Sequence, residues 1–266
     1  MSLYQSFLFS CVSILASIVG AICGIGGGVI IKPVLDLFGW VSVSTISFLS
    51  GCTVLSMSAY SVIKSFIAKD SKVNLKTGTP LALGAAIGGV IGKELFSSIK
   101  AMFENQNTVG GVQALCLAII TVGTLVYTIK KDKIKTHVVT NSLVCTIIGC
   151  LLGIMSSFLG IGGGPINLVV LYFFFSMDTK TAASNSLYII LFSQLTSFIS
   201  TVATHSIPSF TPITLVFMVF GGIMGGMIGR KINKKIDNKT VEKLFIGLMT
   251  VIIFISLFNT YKYFVL

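Results

Sequence analysis

The chain alternates long apolar stretches with short polar joints. Apolar runs fall at about 3–23, 29–39, 43–68, 79–99, 109–129, 138–160, 165–176, 181–204, 211–229 and 241–261. Most approach the roughly 20 residues a helix needs to cross hydrocarbon. The second and seventh are about half to two-thirds of that length. Each of these short runs follows a cluster of glycines, Gly24-Ile25-Gly26-Gly27-Gly28 in one half and Gly160-Ile161-Gly162-Gly163-Gly164-Pro165 in the other. The pattern predicts an all-α, polytopic membrane bundle of about ten segments, with a glycine-broken or re-entrant first helix pair in each half.

The two clusters belong to an internal repeat. With Gly26 aligned on Gly162, Ser50 falls on Ser186 and Ser61 on Ser197 without a gap. Gly88-Gly89-Val90-Ile91-Gly92-Lys93 matches Gly225-Gly226-Met227-Ile228-Gly229-Arg230, and Thr79-Pro80 matches Thr211-Pro212 after a small change in length. Three matches in one order indicate duplication, with repeat 1 over residues 1–135 and repeat 2 over 136–266. About five segments per repeat is an odd number, so the second copy is expected upside down relative to the first.

Charge sets the expected orientation. With the N-terminus outside, segments 64–76 and 130–135 each carry net +3 and 230–243 carries +4, all inside. The outside holds Lys32 with Asp36, Lys93 with Glu94, Lys100 with Glu104, and Lys262, a net +1. Lysine and arginine near span ends favour the cytoplasmic face. Counting four segments per half instead splits the basic loops across both faces. The expectation is a multi-pass plasma-membrane protein with both termini outside.

Composition agrees. Charged residues make up 10% and mean hydropathy is +0.96, where a soluble domain carries about a quarter charged residues. The net charge of +11 sits in short loops rather than on a solvated domain, so it reads as a topology signal and not as a nucleic-acid footprint. The first apolar run has no basic residues before it and leads into the repeated glycine motif, which argues against a cleaved signal peptide. The six cysteines lie inside apolar runs without a CxxC pair, so packing is expected, with no metal site, cofactor or disulfide framework. No nucleophile–base pair marks an enzyme, and no Gly-Lys-Ser/Thr follows the first glycine cluster to make a phosphate-binding loop.

The glycine clusters carry the candidate chemistry. Backbone that leaves a helix at membrane depth survives only where it is buried in protein or lines a cavity. A helix that starts after such a break aims its positive dipole end and free N–H groups at it, which suits an anion. Gly26, Gly27, Gly28, Gly162, Gly163, Gly164, Pro165 and Asn167 are therefore candidate substrate-binding positions. The segments that follow add Ser50, Asn185, Ser186 and Gln194, whose hydroxyl and amide groups can meet an oxyanion; structural bonding between helices is the competing role. Lys32, just before Pro33, is a candidate for attracting or touching the anion, against snorkelling or pairing with Asp36. The repeat has Leu168 in its place. Gly88, Gly89, Gly92, Gly221, Gly222, Gly225, Gly226 and Gly229 suit close helix packing. Asp36 and Glu94 each have a basic neighbour, and neither His137 nor His205 is expected mid-span, so the sequence does not by itself mark a proton relay.

These features resemble the sulfite exporter TauE/SafE family. The first copy, Gly24-Ile25-Gly26-Gly27-Gly28 with Pro33 and Leu35, is similar to the family's G-x-G-G-G-x-x-x-x-P-x-L pattern. The second departs from it, with Pro165 directly after the glycines and Val169 where the first has Pro33. Ala182-Ala183-Ser184-Asn185-Ser186-Leu187 resembles the family's A-x-x-T/N-S segment. The resemblance covers essentially the whole chain. It implies a permease for sulfite, organosulfonates or related small sulfur or carboxylate anions, and many members have no assigned substrate. The expected partners are a small anionic solute and the lipid bilayer, with a homodimer as one assembly such a chain allows. An anion channel, or a carrier of a different small metabolite, is the alternative reading.

Overall fold

The computed structural model describes residues 3–102 and 106–265. Glu104, read above as a partner of Lys100, lies outside the described residues. Ten α-helices follow one another: α1 Leu3–Cys23, α2 Gly28–Phe38, α3 Val43–Ile67, α4 Leu75–Met102, α5 Gln106–Lys130, α6 Ser142–Leu159, α7 Pro165–Phe175, α8 Thr179–Ala203, α9 Pro212–Lys235 and α10 Asn238–Val265. Eight are long and apolar enough to cross a membrane. The short pair, α2 and α7, has 11 residues each. No strand occurs among the described residues.

Local chemistry fixes the helix ends. Ser42 caps α3 by accepting from Thr45 N, Asn141 caps α6 by accepting from Leu143 N and Val144 N, and Asp178 caps α8. Pro165 opens α7, where its missing N–H costs nothing. Gly39 and Gly160 close α2 and α6 in the left-handed region.

Helices pair across the halves. α1 packs along α9 and α6 along α4; α3 packs on α9 and α8 on α4; α3 also meets α8, and α5 meets α10. Exchanging α1–α5 for α6–α10 maps this set onto itself. The turns repeat as well. Lys69 and His205, at matching positions, both adopt positive φ (55° and 50°), and the turn bonds Asp70 N to Ser65 O and Ser206 N to Thr201 O are both 3.1 Å.

In lipid, helices gain nothing by hiding apolar surface from one another, so close backbone approach carries the association. Small residues permit that here. A Cβ on Gly84, Gly88 or Gly92 would stand 2.0–2.3 Å from the carbonyl oxygens of Thr146, Cys150 and Ile154 on α6. Gly149 and Gly153 meet α4 in the same way, while Gly225 and Gly229 meet Ile14 O and Ile18 O of α1.

The sequence pattern ends the fourth segment near residue 99 and treats Lys93 to Glu104 as an outer joint. Instead α4 runs on to Met102. Lys93-Glu94-Leu95-Phe96-Ser97-Ser98 has neither glycine nor proline to stop it, so the helix continues past its most apolar part.

Gly88→Leu would drive a side chain into the α6 backbone and is expected to cost at least about 3 kcal/mol, the upper end of ordinary overpacking. Gly123→Leu should be near neutral, because nothing lies within 4 Å of its Cβ position. Thermal unfolding of the two detergent-purified variants checks this; equal midpoints would remove the close crossing as the basis of packing.

Candidate functional site

α1 ends at Cys23 and α6 at Leu159 because the next residues take backbone angles that only glycine adopts without strain. Gly24 and Gly26 both have φ 75°; their counterparts Gly160 and Gly162 have φ 65° and 69°, and Gly163 has φ 129°. The two interrupted segments meet. A Cβ on Gly26 would lie 3.2 Å from Gly162 O, one on Gly28 would lie 2.0 Å from Ile161 O, and one on Gly163 would lie 3.4 Å from Ile25 O. The crossing is clasped by the middles of α3 and α8: Val54 touches Gly26 and Gly162, and Ile190 touches Gly26 and Gly163. Val54 and Ile190 are equivalent in the repeat.

Polar groups at this crossing lack partners. Among the described residues, the backbone N–H groups of Gly26, Gly27, Gly28, Gly162, Gly163 and Gly164 make no hydrogen bond. The first amides of α2 and the end of α7 that starts at Pro165 point here. Ser50 and Ser186, both fully buried, have unpartnered hydroxyls, as does the Asn167 side-chain oxygen. Ser50 Oγ lies 3.0 Å from the Cβ position of Gly28.

Two cavities approach the crossing from opposite directions. One, of about 230 Å³, is lined by Lys93 and Lys100 of α4, Ser47 and Gly51 of α3, Gln194 and Thr201 of α8, and Gly160. Among the described residues no acidic side chain lines it. Lys93 Nζ donates to Thr201 Oγ1, and Lys100 Nζ donates to Ser44 Oγ at 2.9 Å. The other, of about 480 Å³, is lined by Arg230, Lys234, Lys72, Lys180, Asp70 and Ser61, among others. Lys93 and Arg230, Ser97 and Lys234, Ser197 and Ser61, Thr201 and Ser65, and Ser206 and Asp70 are matched pairs of lining residues. The cavities are the same feature built twice. Neither contains Gly26, Gly27, Gly28, Gly162, Gly163 or Gly164.

Their closures differ in charge. Asp70 bonds Arg230 at 2.5 Å and also pairs with Lys234, whereas Ser206 holds its place in the other cavity. Partial burial pushes the Asp70 carboxyl up, but the hydrogen bonds and charges of Lys234 and Arg230 outweigh this and hold it below the usual carboxylate range. A depressed carboxyl contributes above its unfolded value of about 4 and stops contributing as pH falls through the folded value. This tie is therefore intact at neutral pH.

The remaining candidates have other surroundings. Asn185 bonds into the α3–α4 turn: Nδ2 donates to Lys72 O at 3.2 Å and to Thr181 O at 2.9 Å, and Oδ1 accepts from Asn74 N. Gln194 lines the Lys93 cavity. Lys32 neither snorkels nor forms a salt bridge with Asp36. It is 3% exposed, donates to Gln113 Oε1, and donates to Leu159 O at 2.9 Å, the last carbonyl before the second break. Sequence reasoning missed Lys93 and Lys100 as lining residues. The signal was present: Lys93 directly follows Gly92, which faces α6, and Lys100 lies two helical turns further along the same face.

A fold of apolar crossing helices around two broken, amide-rich half-helices defines a multi-pass membrane transporter. The chain belongs to the family described as Sulfite exporter TauE/SafE, whose model it matches over residues 9–256. No curated protein and no solved structure matches it.

Gly28→Ala and Gly164→Ala separate the crossing from glycine content in general. Gly28→Ala sets a methyl against backbone and is expected to lower the yield of folded protein sharply. Gly164 is in extended backbone (φ 164°), and its Cβ position meets only the end of the Ile161 side chain at 3.1 Å, so Gly164→Ala should cost under about 1 kcal/mol. Size-exclusion profiles and melting curves decide; similar loss in both variants would refute the contact.

Proposed function

We propose that this protein is a secondary carrier for small anions, such as sulfite, organosulfonates or related sulfur and carboxylate anions. The substrate site lies at the crossing of the two glycine breaks, at the membrane midplane. The observation that carries this reading is the set of six unpaired amides at the meeting point of two half-helices. An unsatisfied N–H in a dry interior costs about 1–3 kcal/mol, and an oxyanion gives several such groups a partner at once. Ser50 lies beside Gly28, Ser186 and Asn167 add buried polar atoms without partners, and Lys93 and Lys100 supply a positive approach with no carboxylate among the described lining residues.

Carrier action fits better than a channel. The two repeated cavities stop on opposite sides of a closed crossing, so a solute passes only if the crossing rearranges. Five-plus-five inverted halves, with boundaries near 135 and 136, make the two facing states near equivalents under a two-fold rotation in the membrane plane, and rocking one half against the other alternates access. On this reading the basic loops are cytoplasmic, both termini are outside, the Lys93 cavity opens outward, and the Arg230 cavity opens inward.

Proteoliposome flux with sulfite, sulfate, methanesulfonate and carboxylates tests the function, with counterflow and saturation as marks of a carrier. Gly27→Leu and Gly163→Leu are expected to abolish flux while the protein remains inserted; wild-type flux in both would take the breaks out of the mechanism. Lys93→Ala combined with Lys100→Ala should raise the half-saturating concentration by about tenfold at low salt, with the difference shrinking as salt screens the field. For sidedness, single cysteines placed at Pro208 and Asn233 should react from opposite faces, Asn233 from the cytoplasm. Labelling of both from one face would overturn the topology.

A further inference from the structure

Along α2 lies a second polar cluster. Asp36, one turn beyond Lys32, is 5% exposed, and its Oδ1 has no partner. Tyr263 of α10 is among the polar groups that act on its carboxylate. Ser256 Oγ and Asn259 Oδ1, also of α10, are buried and unpartnered beside it. Asp36, Ser256, Asn259 and Lys32, with Gln113 of α5 and Leu159 of α6, line a small cavity of about 10 Å³, about the space of one water. The repeat places Leu168 and Tyr172 where this half has Lys32 and Asp36, so the cluster occurs once in the molecule.

The charges around Asp36 are few. On its own helix there is Lys32. From α10 come Lys262, whose ammonium donates to Asp36 O at 3.4 Å and to Leu37 O at 2.9 Å, and Tyr263. α1 carries no charged residue, α3 only Lys64 and α5 only Lys130, both in the last turn and remote from α2. A change at Asp36 is therefore felt chiefly by Lys32. Lys32 in turn grips Leu159 O, and its Nζ lies 3.6 Å from the Cβ position of Gly160.

We infer that Asp36 is the proton-carrying site of this transporter, coupling uptake of one proton to binding of one anion at the neighbouring glycine crossing. The inference rests on the anion-carrier reading above. With Asp36 ionised, its charge offsets that of Lys32 and the pair presents little net field to the break. When Asp36 accepts a proton, only an O–H bond forms, and the Lys32 charge is left to act on the break, where it favours an anion. Coupling of this kind is reciprocal: the bound anion favours the proton as much as the proton favours the anion. One proton and one singly charged anion add no net charge to a dry interior, so the two move in the same direction. Release of the proton restores the opposed pair and lowers the hold on the anion.

The test uses full-length protein in proteoliposomes containing a trapped pH-sensitive dye, with methanesulfonate and sulfate as probes, because strong-acid anions carry no proton through lipid themselves. Wild-type inward flux is expected to acidify the lumen, and apparent anion affinity to rise at least about fivefold from about pH 8 to about pH 5. Asp36→Asn should keep anion counterflow with a pH-independent affinity and without lumenal acidification, and Asp36→Glu should restore both. Wild-type flux without proton movement overturns the inference and leaves the carrier reading standing, and this measurement needs no variant to fold. Unchanged pH dependence in Asp36→Asn also overturns it. Absence of flux for either probe and for the wider anion panel overturns both.

Discussion

Unpaired backbone amides in a membrane interior are the constraint from which the rest of this structure follows. A helix hides its polar backbone from lipid by bonding to itself, and two helices here give that up at matching places. The freed groups are kept from lipid only because the two interruptions lie against each other, clasped by α3 and α8. That contact demands glycine at Gly26, Gly28 and Gly162, where any side chain meets backbone or the clasping helices. It also requires the outer helices to close tightly, which the stripes on α4, α6 and α9 permit. The fold is thus a casing for a small amount of irregular chain.

The same constraint accounts for the polar content of the clasping helices. α3 and α8 are rich in serine and threonine, and many of these hydroxyls bond to carbonyls on their own helix, as Thr53 does to Leu49 O and Thr201 to Ser197 O. Ser50 and Ser186 do not, and neither do Ser47 and Ser61 of α3 or Ser193 of α8.

Much of this was legible in the chain. The helices and their order followed from apolar run length, and the membrane-transport class from the paired glycine motifs. Less legible was what a side chain meets once helices cross. Asn185 carries the polarity expected of a ligand, yet it bonds to the Asn74 turn, because a turn over one hundred residues away in sequence folds against it. Lys32 has a carboxylate four residues on, which suggests a local pair. It reaches instead to Leu159 O and Gln113, partners fixed by tertiary packing. Lys93 and Lys100 looked like joint residues because charge normally ends an apolar run. Here the helix persists and its face turns them into a cavity.

The two mouths, though copies, are not fastened alike. Asp70 binds two cations where Ser206 offers a neutral hydroxyl. On the carrier reading proposed above, such unequal fastenings weight the two facing states differently. Thermodynamics fixes the final distribution of solute regardless of that imbalance, but the speeds of the two half-cycles need not match. On that reading the molecule is a rectifier in its kinetics, with half-saturation and maximal rate from one face unlike those from the other.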